Sequence, residues 1–287
     1  MEDIVPIPVE AVEIVPQMAK IRLDAEYKET YGKFRAVLMD NEHSLRALEL
    51  TTTLLRIGPA DYTAWCFRRR VICKLELDLR EELSQSSEFV DANPKAYQVW
   101  YHRRWLLDSI GEECGELAYV DSVLNSFDSK AYNCFSHRQW VVQRFSLWNQ
   151  ELEWVASFIR RDPLNNCGWS HRRYVCMGLS REAAAEVPVA LEAICANPGN
   201  ESAWGYLASW FADSEDNYSG WDKMEAVTQC VTHLAADKCI YALEALVKLH
   251  LCGGLKADAR AVCLSIAEED PDRKQLWTYR AAQIISE

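Results

Sequence analysis

The chain has 287 residues, with 31 Lys and Arg against 43 Asp and Glu, a formal net charge of −12, 49% hydrophobic residues, 11 Trp and 11 Cys. That length holds one or two domains and a core large enough to fold unaided. The apolar and charged fractions are those of a globular chain, not a disordered one. The acidity argues against nucleic acid or a membrane surface as partner and leaves room for a basic partner or substrate.

Met1 to Lys20 carries Glu2, Asp3, Glu10 and Glu13 and lacks the apolar core of a signal peptide. The longest stretch free of Asp, Glu, Lys and Arg is 11 residues, short of the ~18 that a membrane helix needs. An odd number of cysteines, with no CxxC pair, reads as reduced and mostly buried thiols in a cytoplasmic protein.

In chain order, residues 1–23 with Pro6, Pro8 and Pro16 predict an extended arm, and Asp24 to Ile57 a first helical hairpin. Residues 24–287 then read as one helical-repeat region. After Gly58-Pro59 comes Trp65. In the next unit Asn93 is expected to cap a helix and Pro94 to open it, with Trp100, Arg103, Arg104 and Leu107 on one face. Its partner helix starts near Glu116 and runs through Leu117, Val120, Val123, Leu124 and Phe127. The same pattern returns from Asp128 through Phe135 and Arg138, and again from Asp162-Pro163 through Trp169 and Arg172. Asn197-Pro198 and Asp270-Pro271 mark later turns. No strand pattern stands out.

Trp65, Trp100, Phe135, Trp169 and Trp204 are 35, 35, 34 and 35 residues apart, and Trp277 follows after 73 more. Pro59, Pro94, Ser129, Pro163 and Pro198 lie six residues before those anchors, as Pro271 does before Trp277. A period of 34–35 predicts an all-α fold, a right-handed α-α superhelix built as a solenoid of roughly seven helical hairpins. The tryptophans are then core anchors.

The recurring string is Trp-x-x-Arg-Arg or a near variant: Trp65-Cys66-Phe67-Arg68-Arg69, Trp100-Tyr101-His102-Arg103-Arg104, Phe135-Ser136-His137-Arg138-Gln139 and Trp169-Ser170-His171-Arg172-Arg173. Together with Asn93-Pro94-Lys95-Ala96-Tyr97-Gln98-Val99 and Asn200-Glu201-Ser202-Ala203, it closely resembles the repeat of protein prenyltransferase α subunits. The resemblance is strongest to the α subunit shared by protein farnesyltransferase and geranylgeranyltransferase type I, and it extends from about Glu26 to the C-terminus. It implies a heterodimer with a β subunit that holds the catalytic zinc and the isoprenoid pocket, with magnesium as a further candidate cofactor. It implies transfer of farnesyl or geranylgeranyl from the isoprenoid diphosphate to a cysteine of CaaX proteins. By matching positions, Lys95 corresponds to a lysine near the diphosphate, and Tyr97 and Tyr132 to tyrosines facing the active site. Gln98 corresponds to a glutamine that holds the peptide's terminal carboxylate. Asn133 departs from the histidine usual at its position; it keeps a hydrogen-bond donor but cannot carry a proton's charge.

Comparison between repeats points to the same edge. Five residues before the anchors stand Ala60, Lys95, Lys130, Leu164 and Gly199; three before, Tyr62, Tyr97, Tyr132, Asn166 and Glu201; two before, Thr63, Gln98, Asn133, Cys167 and Ser202. Only the second and third hairpins combine Lys, Tyr and an amide. A lysine in the first turn of a helix opposes the helix dipole unless an anion is bound there. Lys130 reads as a solvated lysine. His102, His137 and His171 recur in one phase, but successive hairpins are about 8–10 Å apart, too far to share a zinc ion with ligands at about 2 Å. They read as structural partners of the repeated Arg, and no metal site is assigned to this chain. Two other readings stay open: the α subunit of the Rab-directed geranylgeranyltransferase, and a non-catalytic helical scaffold.

Overall fold

The computed structural model describes residues 3–8, 23–211 and 220–286. Its secondary structure is helical, with no strand among the described residues. Two compact units divide the chain, Met1–Phe145 and Ser146–Glu287.

In the first unit the hairpin expected over Asp24–Ile57 is α1 (Ala25–Met39) and α2 (Leu45–Ile57), capped by the side chains of Asp24 and Ser44. Residues 3–8 lie against it without helical structure. The Ile7 N–H donates to the Gly32 carbonyl at 3.0 Å. A Cβ on Gly32 would sit 3.0 Å from both Ile7 O and Pro6 Cβ, so glycine is what permits this approach. Most of the arm expected over residues 1–23 lies outside the described residues. The unit continues with α3 (Tyr62–Lys74), α4 (Leu79–Gln85), α5 (Ser87–Ala92), α6 (Tyr97–Ile110), α7 (Glu116–Ser126) and α8 (Tyr132–Phe145). Buried Leu117, Val120, Val123 and Leu124 form the inner face of α7 as expected, whereas Phe127 caps its end and is exposed.

Helices that carry an anchor start later than the turn signals suggest. Asn93 is the C-cap of α5, Pro94 and Lys95 form a turn, and α6 begins at Tyr97. The reason is a hydrogen bond: the Trp100 indole N–H donates to the Pro94 carbonyl at 2.8 Å. Trp65 does the same to Pro59 at 2.8 Å. In the second unit Trp169 donates to Pro163 at 2.8 Å and Trp204 to Pro198 at 2.9 Å. The six-residue interval is therefore the span of a turn closed by an indole, satisfying the one polar atom of each buried anchor. Trp277 is buried too, but its indole N–H has no hydrogen-bond partner among the described residues. The terminal repeat copies the spacing and not the bond.

Between helices runs a chain of buried ions. Arg103 in α6 makes a bidentate pair with Glu116 in α7, at 2.7 and 2.6 Å. The same Glu116 accepts from His137 in α8, whose Nε2 is 2.7 Å away. One hairpin earlier Arg68 pairs with Glu82 at 2.7 and 2.8 Å, and Glu82 meets His102 Nε2 at 2.8 Å. Each histidine also packs under the preceding anchor, with ring centroids 4.7 Å apart for Trp65–His102 and 4.9 Å for Trp100–His137. The histidines thus serve a structural role, though their direct partner is the shared glutamate and not the arginine. Arg103 Nη1 also takes the Leu83 carbonyl at 2.8 Å and Ser86 Oγ at 2.7 Å. Its use of that carbonyl coincides with the break between α4 and α5 at Ser86.

The second unit holds α9 (Trp148–Arg161), α10 (Asn166–Gly178), α11 (Ala183–Ala196), α12 (Glu201–Ser209), α13 (Glu225–Ala236), α14 (Ile240–Cys252), α15 (Lys256–Glu269) and α16 (Lys274–Ser286). One apolar core runs through it, from Val155 and Trp169 to Cys263 and Trp277. Glu151 meets His171, and Glu186 takes Arg172 and Arg181 at 2.7 Å each. In the last position tyrosine replaces histidine: the Tyr206 hydroxyl donates to Glu186 at 2.7 Å. No cysteine is in a disulfide, and fewer are buried than the sequence predicts. Cys134, Cys176 and Cys263 are buried, whereas Cys66, Cys73, Cys114, Cys195 and Cys252 are exposed.

Two predictions follow from the buried ions. Glu116→Gln leaves Arg103 buried without its counter-charge and should destabilise the fold by about 3 kcal/mol or more, read as a lower urea midpoint. Burial pushes His102 down to about 4 from an ordinary 6.5, against the opposing pull of Glu82. Burial would raise Glu116, but the hydrogen bonds of His137 and Arg103 outweigh it and hold the carboxyl at about 2, below its ordinary 4.5. The unfolded chain therefore binds the extra proton first at both groups, so stability is lost as pH falls, through the histidine between 6.5 and about 4 and through the glutamate below 4.5. A urea midpoint that rises on acidification from pH 6.5 would contradict this.

Candidate functional site

The residues singled out at the opening edge of the second and third hairpins do come together. α6 and α8 pack side by side within the first unit. Lys95 sits in the turn before α6, not in its first helical turn as expected, and is exposed. Its ammonium has no hydrogen-bond or ion-pair partner among the described residues. Tyr97 and Tyr132 open the two helices and are 53% and 71% exposed, unusual for such large rings in one neighbourhood. Tyr62 extends the row, its ring centroid 5.9 Å from that of Tyr97.

The two amides sit deeper. Gln98 and Asn133 are 7% and 9% exposed. Gln98 Nε2 donates to the Ala60 carbonyl at 3.2 Å, and Asn133 Nδ2 to the Lys95 carbonyl at 2.7 Å. In the second unit Ser202 Oγ donates to the Leu164 carbonyl at 3.2 Å from the equivalent position. Gln98, Asn133 and Ser202 thus each tie a helix start to the turn of the hairpin before it. At Asn133 the turn so held is the one that carries Lys95.

The position four residues before the anchors carries a further signal. Four residues before the anchors stand Asp61, Ala96, Ala131, Asn165 and Asn200. Asp61, Asn165 and Asn200 cap α3, α10 and α12 with their side chains. Ala96 gives α6 no such cap, and Ala131 has no side-chain oxygen to offer α8. At α6, then, a lysine stands at the turn where the side-chain cap is missing. Uncapped N–H groups beside an ammonium are the chemistry that favours an anion, here on an otherwise acidic chain.

Beside it lies a cleft of about 180 Å³ lined by Tyr97, Trp100, Tyr101, Arg104, Asn133 and Ser136. Arg104 reads from the sequence only as part of the repeat string, with no place in the site. It donates to the Ser136 carbonyl at 2.8 Å and lies over the Trp140 ring at 5.6 Å. Burial lowers its pKa, yet a guanidinium starts so high that it stays cationic. Lys130 is exposed, with its backbone N–H on Asp128. The described residues contain no group of three or more His, Cys, Asp or Glu placed to hold a metal ion. No helix among them is long and apolar enough to cross a membrane.

Comparison with known proteins agrees with this architecture. The family model of the protein prenyltransferase alpha subunit repeat matches residues 44–75, 79–110, 114–145 and 148–179. A relative from Arabidopsis thaliana, the protein farnesyltransferase/geranylgeranyltransferase type-1 subunit alpha, is 40% identical across 90% of this chain and 87% of its own. The Pisum sativum protein of the same name is 35% identical across 98% and 92%. A solved structure of Candida albicans protein geranylgeranyltransferase-I complexed with GGPP superposes with a TM-score of 0.84 at 27% identity, covering 99% of this chain and 98% of that one. With its paired-arginine repeats and its relatives matched nearly end to end, the chain belongs to the family of protein farnesyltransferase/geranylgeranyltransferase type-1 α subunits.

Proposed function

We propose that this chain supplies the diphosphate side of a CaaX prenyltransferase active site that a β subunit completes. The observation that carries the reading is the anion-binding edge: the unpaired Lys95 ammonium, the side-chain-uncapped start of α6 and the exposed Tyr97 and Tyr132. Departure of diphosphate places negative charge on its oxygens. A fixed ammonium and oriented N–H donors stabilise that charge in the transition state more than in the bound substrate. The two phenols border the same edge and donate hydrogen bonds to the leaving group or wall its path. The Candida albicans structure, solved with GGPP, supports an isoprenoid diphosphate as the ligand.

Gln98 retains a second amide hydrogen beyond the one given to Ala60, and that hydrogen is available to the terminal carboxylate of a CaaX peptide. Asn133 acts through its bond to the Lys95 carbonyl and so positions the lysine, a role that needs no titratable ring. Arg104 adds positive charge to the adjoining cleft. The zinc that the family resemblance implies is assigned to the β subunit. It would activate the acceptor thiol there, while this chain's residues bind and orient the diphosphate. The heterodimer is assigned to the cytoplasm.

The test is co-expression with a β chain and a transfer assay with farnesyl and geranylgeranyl diphosphate on a CaaX peptide. Lys95→Ala is expected to lower kcat by up to about 10²-fold; unchanged turnover would remove the lysine from the mechanism. Ala96→Asp caps α6 and places a carboxylate at the edge. It should stabilise the helix by about 1 kcal/mol while raising KM for the diphosphate. Asn133→Leu should slow the enzyme with Lys95 present and add little in the Lys95→Ala background; fully additive losses would count against a positioning role.

A further inference from the structure

Two cysteines outside this site occupy equivalent places in successive repeats of the second unit. Cys195 lies in the last turn of α11 and Cys230 in the middle of α13, one repeat period of 35 residues apart. The two helices pack together, and the Sγ atoms are 3.9 Å apart. Cys195 is exposed and Cys230 half-buried, and neither is bonded to another sulfur. Cys239, just before α14, is turned elsewhere: its thiol donates to the Pro198 carbonyl at 3.3 Å.

We propose that Cys195 and Cys230 are a reversible oxidation site, forming a disulfide between α11 and α13 when the chain meets a small disulfide such as glutathione disulfide. The Cys195 thiolate attacks one sulfur of the oxidant, forming a mixed disulfide and releasing one small thiolate. Cys230 gives up its proton to that thiolate and attacks the Cys195 sulfur, displacing the second small thiolate, which takes the proton Cys195 had given to solvent. Both protein thiols are oxidised, and the small disulfide is reduced to two thiols. Closing the bond takes the sulfurs from 3.9 Å to about 2.05 Å, a movement within reach of side-chain rotation and a small helix shift.

The environments of the two sulfurs set the order. Burial and the neighbouring Cys195 push the Cys230 thiol up to about 12, so it is protonated at neutral pH and a poor first nucleophile. Cys195 faces solvent and meets the oxidant first; Cys230 resolves the mixed disulfide. In a reducing compartment such a bond is transient, opened again by small thiols. While closed, it ties two consecutive repeats across the intervening α12 and restricts the unfolded chain, which raises the melting temperature.

The experiment incubates the full chain with glutathione disulfide, blocks remaining thiols by alkylation and maps the peptides. A Cys195–Cys230 linked peptide is expected, cleared by dithiothreitol and accompanied by a higher melting temperature. Cys195→Ser, a change at an exposed position, should abolish the link, while Cys239→Ser should leave it intact. Reaction that stops at a mixed disulfide on Cys195, a link from Cys230 to Cys239, or the absence of any modification overturns the proposal.

Discussion

A carboxylate buried between two repeats organises this protein. Each of Glu82, Glu116 and Glu186 takes a guanidinium from the first helix of its own hairpin and a hydrogen bond from the first helix of the next. An isolated ion there would be prohibitively costly. Charge, partner and backbone acceptors must therefore arrive together, and they do so only when consecutive hairpins are in register. The indole packed over each histidine excludes water from the pair. Apolar stacking alone would tolerate sliding of one hairpin on the next; a bidentate Arg–Glu pair with a third partner does not.

A rigid stack frees its edge for other uses. The anchor-bearing helices α3, α10 and α12 satisfy their first N–H groups with Asp61, Asn165 and Asn200, each worth about 1 kcal/mol. At α6 alanine replaces the cap and a lysine stands beside it. The local loss of stability is tolerated because the helix is already held by Arg103, Glu116 and Trp100. The proposed site is a departure from an otherwise regular pattern, and only comparison between repeats makes it visible.

Much of the fold was legible because its period is long and its anchors are chemically distinctive. The anchor phase, the first hairpin and the inner face of α7 were all readable from residue spacing. The helix starts were misplaced because Asn-Pro reads locally as a cap and a first turn; the bond that moves the start joins residues six apart through a side chain. The glutamates were missed because a buried carboxylate looks like any surface carboxylate until its partners are known. The clue was the interval from Arg to Glu, 14 residues at Arg68 and Arg172 and 13 at Arg103. Of the site, the lysine, tyrosines and amides were visible by position. The missing caps were in plain view, but a gap draws less notice than a motif. That Asn133 holds the Lys95 carbonyl depends on the packing of α6 against α8, which one sequence does not specify.

The spacing of anchors, turns and carboxylates also shows which part of a repeat can vary. From Glu82, Glu151 and Glu186 to the next anchor, all tryptophans, the count is 18 residues; from Glu116 to Phe135 it is 19. The longer interval falls where Ser129 and Phe135 replace the proline and the tryptophan. The turn itself keeps its six residues from Ser129 to Phe135 and the anchors stay 35 apart, because Glu116 stands 13 residues after its arginine where Glu82 stands 14 after Arg68. The anchors and their turns therefore fix the period, while the buried carboxylate can move by one residue along its helix and still meet both of its partners.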